Sequence, residues 1–365
     1  CDCDGYTAAA ILINYLYKLF PTWVNNHLNW IMHDGKQHGL SDCINQISNY
    51  YSLIICPDSS SNDYDYHHDL FKKGIGVLVL DHHLADSISK YAVIINNQLS
   101  DYPNKELSGV GVVWQFCRYI DSILNINYAD DFLDLVALGN CGDMMSLKSF
   151  ETRYLITKGF KKENIKNPFI DYMLDKNSFP LSKTDYLSSD PDMACTSIGA
   201  AFFIVPFINA MTRSGTQPEK ELLFNAMLNH KAFEEVISNK RGHKLGEKEK
   251  LVLQAVRTVT NVKNRQTRAE DAGLVMLEKM IETNNMLNHK ILLFLLEPGQ
   301  IPAEIRGLIA NKFMAKYQRP CCLLTRSYRD DKETFEGSMR GYTKTGIDSF
   351  KNVLEQCPEV TYVQG

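Results

Sequence analysis

Five carboxylates and two adjacent histidines sit where apolar runs stop. Asp2 and Asp4 stand in CDCDG, Asp58 follows YSLIICP, Asp81, His82 and His83 close GVLVLDHH, and Asp143 follows LVALGNCG. A strand leaving a core needs only a small polar residue at its exit, so an acid followed by two imidazoles calls for another reason. Carboxylates with a neutral imidazole and no thiolate suit hard to borderline divalent cations such as Mn²⁺ or Mg²⁺. Acids held close in a shielded place repel one another, and a cation relieves that repulsion. Two such ions ~3.5–4 Å apart, bridged by one carboxylate, clamp a phosphoryl group and create a nucleophile from water at neutral pH. The residues therefore point to phosphoester hydrolysis. Taken singly they say less: an acid before a glycine is common in turns, and a lone Asp143 is equally a helix cap.

The elements that must position these groups alternate. AAAILINYLYKLF reads as a helix, YSLIICPD as a strand, YDYHHDLFKKG as a helix and GVLVLDHH as a strand. Strands of unbroken apolar character indicate βαβ units and a parallel sheet covered on both faces. Ligands of such sheets bind beyond the carboxyl ends of the strands, where these acids and imidazoles would gather. Asp2 and Asp4, two apart, would share one face of an extended strand end, with Gly5 allowing a tight exit into a helix near Tyr6. From about Lys220 to Met286 the chain turns charged and helical, and from HKILLFLLEPG the strand and helix alternation restarts.

At 365 residues, two domains are expected. The fold class is α/β: a parallel-sheet domain over 1–215, a long helical connector over 216–288 and a smaller α/β domain over 289–365. Hydrophobic content of 44% and 22% charged residues describe a globular chain, and a formal net charge of -4 excludes a uniformly basic nucleic-acid coat. The ten cysteines form no CxxC pair, which argues against a zinc module or a disulfide framework and for a reduced, cytoplasmic setting. No apolar run approaches the ~20 residues of a membrane span. The sequence starts without Met on a motif and stops at Gly365, so residues are expected to be missing at both ends.

DCDGYTAA, PDSSSND, LDHH and ALGNCGD, in this order, resemble the four metal motifs of the DHH phosphoesterase superfamily. Within it the chain is most similar to RecJ-like exonucleases: SGVGVVWQF, FETRYLITKGF, IVPFINAMTRSG, IRGLIANKFMAKYQRPCCLL and EGSMRG each resemble a segment of that group. The resemblance covers nearly the whole chain apart from stretches near 160–195 and 215–260. It implies a DHH domain and a DHH-associated domain, the latter incomplete at its C-terminus, with two divalent ions, Mn²⁺ or Mg²⁺. Asp2 would ligate one ion, Asp4, His82 and Asp143 the other, and Asp58 would bridge them. Asp81 would orient an imidazole and His83 would touch the scissile phosphate. Asn209, Arg213, Ser338 and Arg340 would hold the nucleic-acid backbone.

The implied activity is 5′→3′ hydrolysis of single-stranded DNA to mononucleotides in recombination, repair or replication, with a single-strand-binding protein or a helicase as further partners and no membrane. Thr212 where a glycine is usual, Thr152 for asparagine and Gly341 for serine depart from the cellular pattern and fit a phage or otherwise divergent origin; the absence of a terminal GGH-type motif reads as truncation. Two other readings are a DHH phosphodiesterase acting on short oligoribonucleotides or cyclic dinucleotides, and a catalytically inactive replication scaffold. The NAMTR segment and the long connector count against the first, and the intact set of metal motifs against the second.

Other polar groups read more plainly. His67 and His68 are expected on the solvated face of a helix. The cluster Lys240, Arg241, His243, Lys244, Lys248 and Lys250, interspersed with Glu247 and Glu249, reads as a charged helix surface.

Overall fold

The structure is a computed structural model that describes residues 2–33, 39–188, 190–329, 332–347, 349–361 and 363; the Arg329 side chain, Cys1 and Gly365 lie outside that description. Two compact units divide the chain, Cys1–Lys263 and Asn264–Gly365.

In the first unit, helix α1 (Cys3–Leu19) packs its apolar face on α3 (Gly109–Leu124) and α4 (Leu133–Gly142), and α2 (Tyr64–Lys72) packs on the sheet. The sheet has three parallel strands in the order β1 (Leu53–Pro57), β2 (Gly76–Asp81), β3 (Val93–Asn96). The register sets Pro57 beside Leu80 and Asp81 beside Asn96, so the carboxyl ends of β1 and β2 finish level. Ile11, Tyr15, Leu80, Val110, Leu133 and Phe169 are all below 2% exposed and belong to one continuous core. A smaller cluster, Leu40, Cys56, Leu70, Ile75, Val77 and Val79, fills the other face of the sheet. This is the α/β arrangement that continuous apolar strands require.

The first motif departs from expectation. Asp2 and Asp4 do not end a strand: Asp2 is extended and caps α1, its Oδ1 accepting from the N–H groups of Asp4 and Gly5, while Asp4 lies in the first helical turn. An aspartate at the cap satisfies amides that an α-helix leaves unpaired.

The stretch 216–288 also differs from a plain helical connector. Helix α5 (Val205–Ser214) is followed by α6 (Gln217–Met227), an antiparallel pair β4 (Glu235–Ile237) and β5 (Lys248–Lys250), and the 33-residue α7 (Leu251–Thr283). Leu223, Phe224, Leu228, Val252, Val259 and Val262 are buried in the core of the first unit. The boundary between units thus falls within α7, because its first half is packed like any core helix. The basic cluster at 240–250 is a hairpin and not a helix face. His67 is likewise not solvated: it is fully buried on α2, on the same face as Leu70, while His68 stacks on Tyr91 with ring centroids 4.3 Å apart.

In the second unit, β6 (Leu292–Leu296) pairs parallel with β7 (Cys321–Arg329), which pairs antiparallel with β8 (Lys332–Arg340). Helix α8 (Ala303–Tyr317) packs on this sheet through Ile305, Ile309 and Phe313, and the second half of α7 adds Leu277 and Ile281.

Candidate metal centre

The loop that leaves β1 enters the left-handed region at once. Asp58 has φ +58° and Ser60 φ +78°, conformations that non-glycine residues rarely adopt and that cluster at functional sites. The Asp58 N–H is fixed by the Leu80 carbonyl at 2.8 Å, which ties the turn to β2. Its side chain is pressed toward Gly109 and Gly5. A Cβ on Gly109 would lie 2.3 Å from Asp58 Oδ1, and one on Gly5 3.2 Å from Oδ2, so only glycine fits at 109. Asp58 Oδ1 is buried and has no hydrogen-bond donor.

Asp4, 1% exposed, is held by the start of α3: Gly109 N–H donates to Oδ2 at 2.7 Å, and Val110 N–H and Ser108 Oγ donate to Oδ1 at 3.0 Å each. The helix N-terminus thus supplies both donors and a favourable dipole to a carboxylate. Asn140, fully buried on α4, fixes that N-terminus in turn, its Oδ1 accepting from Ser108 N–H at 3.3 Å. Gly139 leaves room for the approach, since a Cβ there would lie 2.8 Å from Asp4 Oδ1. Asp143 follows at the C-cap of α4.

These elements bring four groups to one spot. His82 Nε2 lies 3.8 Å from Asp4 Oδ2, 3.3 Å from Asp58 Oδ1 and 3.5 Å from Asp143 Oδ2. Asp4, His82 and Asp143 offer ligand atoms all within 4.8 Å of one another, as do Asp58, His82 and His83. Burial is the first cause of every shift among the acids. It raises Asp4, with the charge of Asp2 adding and His82 opposing. It raises Asp58 well above the usual carboxylate range, with the charges of Asp4 and Asp2 next. It raises Asp143 to about 6, with the Asp4 charge next. Mutual repulsion and an unpartnered buried oxygen are what a divalent cation would relieve, and an oxygen-rich set with one imidazole has the hardness of Mn²⁺ or Mg²⁺. The donor set fits such an ion.

Asp81 acts behind this group. Its Oδ1 accepts from the backbone N–H groups of His82 at 2.8 Å and His83 at 3.2 Å and lies 2.7 Å from His83 Nδ1; Oδ2 accepts from Ser61 N–H at 3.1 Å. Burial works against its charge, but the His83 ring and the other donors outweigh that and hold Asp81 well below the ordinary range. As an ionised carboxylate only accepts, His83 Nδ1 is the donor. The hydrogen bond from His83 to Asp81 raises His83 in return. The imidazole that Asp81 orients is therefore His83, whose side chain is 43% exposed. Asn96 at the end of β3 completes the support, donating to Ser61 Oγ at 2.8 Å and to the His83 carbonyl at 2.9 Å.

Of the remaining expected residues, Asp2 is in neither three-residue group and spends Oδ1 on the α1 cap. Asn209, half-buried, accepts from Cys3 N–H at 3.1 Å and so braces the first turn of α1. Arg213, one turn further along α5, is exposed. Ser338 and Arg340 lie in the second unit on β8, facing Gly307 of α8, where a Cβ would come 2.7 Å from the Arg340 guanidinium. Elsewhere in the second unit Lys312 and Lys316 are paired with Glu270 and Glu278, and Arg319 donates to the Leu287 and His289 carbonyls. Ser61, Asn96, Ser108, Gly109 and Asn140 carry supporting roles that sequence reasoning did not assign. The glycine of SGVGV and the asparagine ending a strand were the only local signals.

Beside the centre lies a cavity of about 610 Å³. Asp2, Asp58, His82, His83 and Asp143 form its polar end, and Tyr6, Trp30, Leu12, Ile55 and Phe224 contribute to its apolar wall.

Residues 1–140 match the DHH family, N-terminal domain. The chain is 35% identical over 365 residues to YorK of Bacillus subtilis (strain 168), a candidate single-strand DNA-specific exonuclease derived from the SPbeta prophage; the match takes in 100% of this chain and 60% of YorK. It is 29% identical over 181 residues to the single-stranded-DNA-specific exonuclease RecJ of Dickeya dadantii (strain 3937), covering 44% of this chain and 30% of that protein. The chain thus spans well under two thirds of the length of these relatives. Among solved structures, exonuclease RecJ bound to manganese superposes with a TM-score of 0.65 at 18% identity, over 92% of this chain and 76% of that one. RecJ of Thermus thermophilus in complex with Mn²⁺ gives 0.62 at 18% identity, over 92% and 43%. The match to the DHH N-terminal domain is thus confined to residues 1–140, and the α/β fold of the chain is that of the RecJ structures.

Proposed function

We propose that this chain is the catalytic part of a divalent-metal-dependent exonuclease that hydrolyses single-stranded DNA. The observation that carries the reading is the convergence of Asp4, His82 and Asp143 beside the buried, unpartnered Oδ1 of Asp58. The names of YorK and RecJ support the substrate class.

In this reading Asp4, His82 and Asp143 would hold one Mn²⁺ or Mg²⁺, Asp2 would contribute to a second, and Asp58 would serve both. When bound, such ions polarise a phosphoryl oxygen and lower the pKa of an attacking water. The chain's own residues do the rest. The α3 N-terminus aims Asp4 and opposes the effect of burial on its charge, Asp81 locks the His83 ring, and the raised His83 imidazole presents a proton to a phosphate oxygen. Arg213, and Ser338 with Arg340 on the second unit, bind the strand by its phosphates. Release of mononucleotides from a 5′ end, a cytoplasmic setting, and a single-strand-binding protein or helicase as partner belong to the same proposal. Among the described residues no helix is long and apolar enough to cross a membrane.

The test is the full-length protein with Mn²⁺ on labelled single-stranded DNA and a matching RNA, each blocked at one end, beside Asp58→Ala. Mononucleotides from DNA with a free 5′ end, lost in the variant, are expected. Degradation of two- to five-nucleotide RNAs with long DNA intact would replace the proposal with a small-oligonucleotide phosphodiesterase. Binding without cleavage would replace it with a scaffold.

A further inference from the structure

The sequence KRGHKLGEK, residues 240–248, holds four Lys or Arg and one acid in a chain of net charge -4. It forms the loop of the β4–β5 hairpin, and every residue from 239 to 248 is exposed. Gly242 and Gly246, at φ +80° and +78°, make its turns, and Ser238 N–H closes it on the Glu247 carbonyl at 2.8 Å.

The charges are sorted along the hairpin. Two acids are paired at its base: Glu249 takes a 2.8 Å hydrogen bond from Arg257, which holds it down to about 2, and Glu235 pairs with Lys248 at 3.6 Å; the one acid of the loop, Glu247, accepts from the Lys244 N–H at 2.9 Å. At the tip, the side chains of Lys240, Arg241 and Lys244 have no partner among the described residues, and Leu245 between them is wholly exposed. Water solvates such cations at no cost to the fold; what sets these apart is that three of them cluster on one exposed turn around an exposed leucine. A metal or a single small anion would need donors converging on one point, which an open loop does not offer. A polyanion with repeating charges and apolar faces fits both features.

The base of the hairpin is fixed. Leu251 N–H donates to the Glu234 carbonyl at 2.9 Å, Gln254 donates to the Ile237 carbonyl at 2.9 Å, and His230, just before it, stacks on Tyr17 with centroids 3.8 Å apart. Tyr17 is thirteen residues along α1 from Asp4, or ~20 Å at helical rise. The hairpin is thus rooted at the end of α1 opposite the metal centre.

We propose that the tip of this hairpin is a phosphate-binding anchor for single-stranded nucleic acid, engaging the strand away from the reacting bond through Lys240, Arg241 and Lys244, with Leu245 against a base or sugar. The choice of nucleic acid as the polyanion rests on the nuclease reading above; the exposed cations do not.

The experiment is fluorescence anisotropy of the full chain with labelled single-stranded DNA in EDTA, across 50 to 200 mM salt, with polyglutamate as a second probe. The triple variant Lys240→Ala, Arg241→Ala, Lys244→Ala should lower the slope of log affinity against log salt by about 2, at roughly 0.7 for each lost phosphate contact on a single strand. Over this fourfold salt range the wild type should then lose roughly 20-fold more affinity than the variant. Lys240→Arg with Lys244→Arg should keep the wild-type slope, and unchanged melting curves show that both variants fold. An unaltered affinity and slope in the triple variant overturns the proposal. Hairpin-dependent binding of polyglutamate with DNA affinity unchanged overturns it in favour of an acidic protein segment. A wild type that binds DNA through the hairpin but cuts nothing with Mn²⁺ refutes the nuclease reading and leaves the anchor standing.

Discussion

Replacing Asp143 with asparagine should stabilise the metal-free protein and destroy its response to metal. Asp143 and Asp4 place carboxylate oxygens within 4.8 Å of each other. At an effective dielectric of about 20, two full charges at that separation repel by about 3 kcal/mol. The rise of Asp143 from 3.8 to about 6, caused first by burial and then by Asp4, corresponds at ~1.4 kcal/mol per unit to about 3 kcal/mol. The second figure contains burial as its largest part and the Asp4 repulsion as the next, so the two overlap and do not add. Because the folded-state value is raised, the stability in question is fully present below 3.8 and is lost as pH rises through about 6. Asp143→Asn, nearly isosteric, removes the penalty. In EDTA at pH 8 its melting temperature should exceed the wild type by up to roughly 6–12 °C, at about 2–4 °C per kcal/mol for a unit of this size, and the gap should close as pH falls from 6 to 4. Mn²⁺ at a thousand times its dissociation constant reverses the order: it adds ~4.1 kcal/mol to the protein that binds it, more than the relief of about 3 kcal/mol, and the variant has lost one donor. Differential scanning fluorimetry in a grid of pH and Mn²⁺ reads both effects. A variant that melts at or below the wild type in EDTA at pH 8 would refute the repulsion argument, and an Mn²⁺ shift equal to that of the wild type would remove Asp143 from the metal centre.

Three further substitutions probe what positions the site. Gly109→Ala puts a methyl group 2.3 Å from Asp58 Oδ1 and must displace that carboxylate; since misplacement by about 1 Å costs on the order of 100-fold, nuclease turnover should fall by that order, whereas Gly76→Ala, whose added carbon meets only ordinary contacts at 3.5 and 3.6 Å, should leave turnover intact. Asp81→Asn keeps the shape but turns an amide N–H₂ toward donors that now meet a carboxylate, so turnover should drop 10–100-fold and the melting temperature in EDTA should fall with it; equal rates would show that His83 needs no orientation. Asp134, fully buried, accepts from Lys166, Asn167 and Leu135 N–H groups at 2.6–2.8 Å, so Asp134→Asn leaves a buried donor facing donors and should cost about 1–3 kcal/mol in urea unfolding; no change in the midpoint would refute this.

The residues that could do chemistry were legible because their signal is local. Asp58, Asp81 and His82 end apolar runs whose composition marks strands, and Asp143 ends an apolar run that proved to be a helix. The same local logic misled at Asp2 and Asp4, because spacing by two puts side chains on one face of a strand but also places a cap and a first-turn residue of a helix; the acid-rich start before an apolar run was a helix-start signal in its own right. At 240–250, Lys and Glu carry a high helix propensity, yet the two glycines four apart break a helix and make a hairpin loop. His67 precedes Leu70 by three, which puts both on one helical face, so its burial followed from the position of a leucine and not from its own polarity.

What stayed hidden was the pairing. SGVGV could be seen as a motif, but nothing in it says that its amides close on Asp4, 105 residues earlier, or that Gly109 is glycine because Asp58 needs the space. The carboxylate and its donors are each ordinary in their own stretch. Their meaning arises only where the end of β1, the start of α1, the start of α3 and the end of α4 meet. A chain can therefore announce which groups will react while leaving unsaid which groups hold them still, since reactivity belongs to a residue type and restraint belongs to a contact between distant segments.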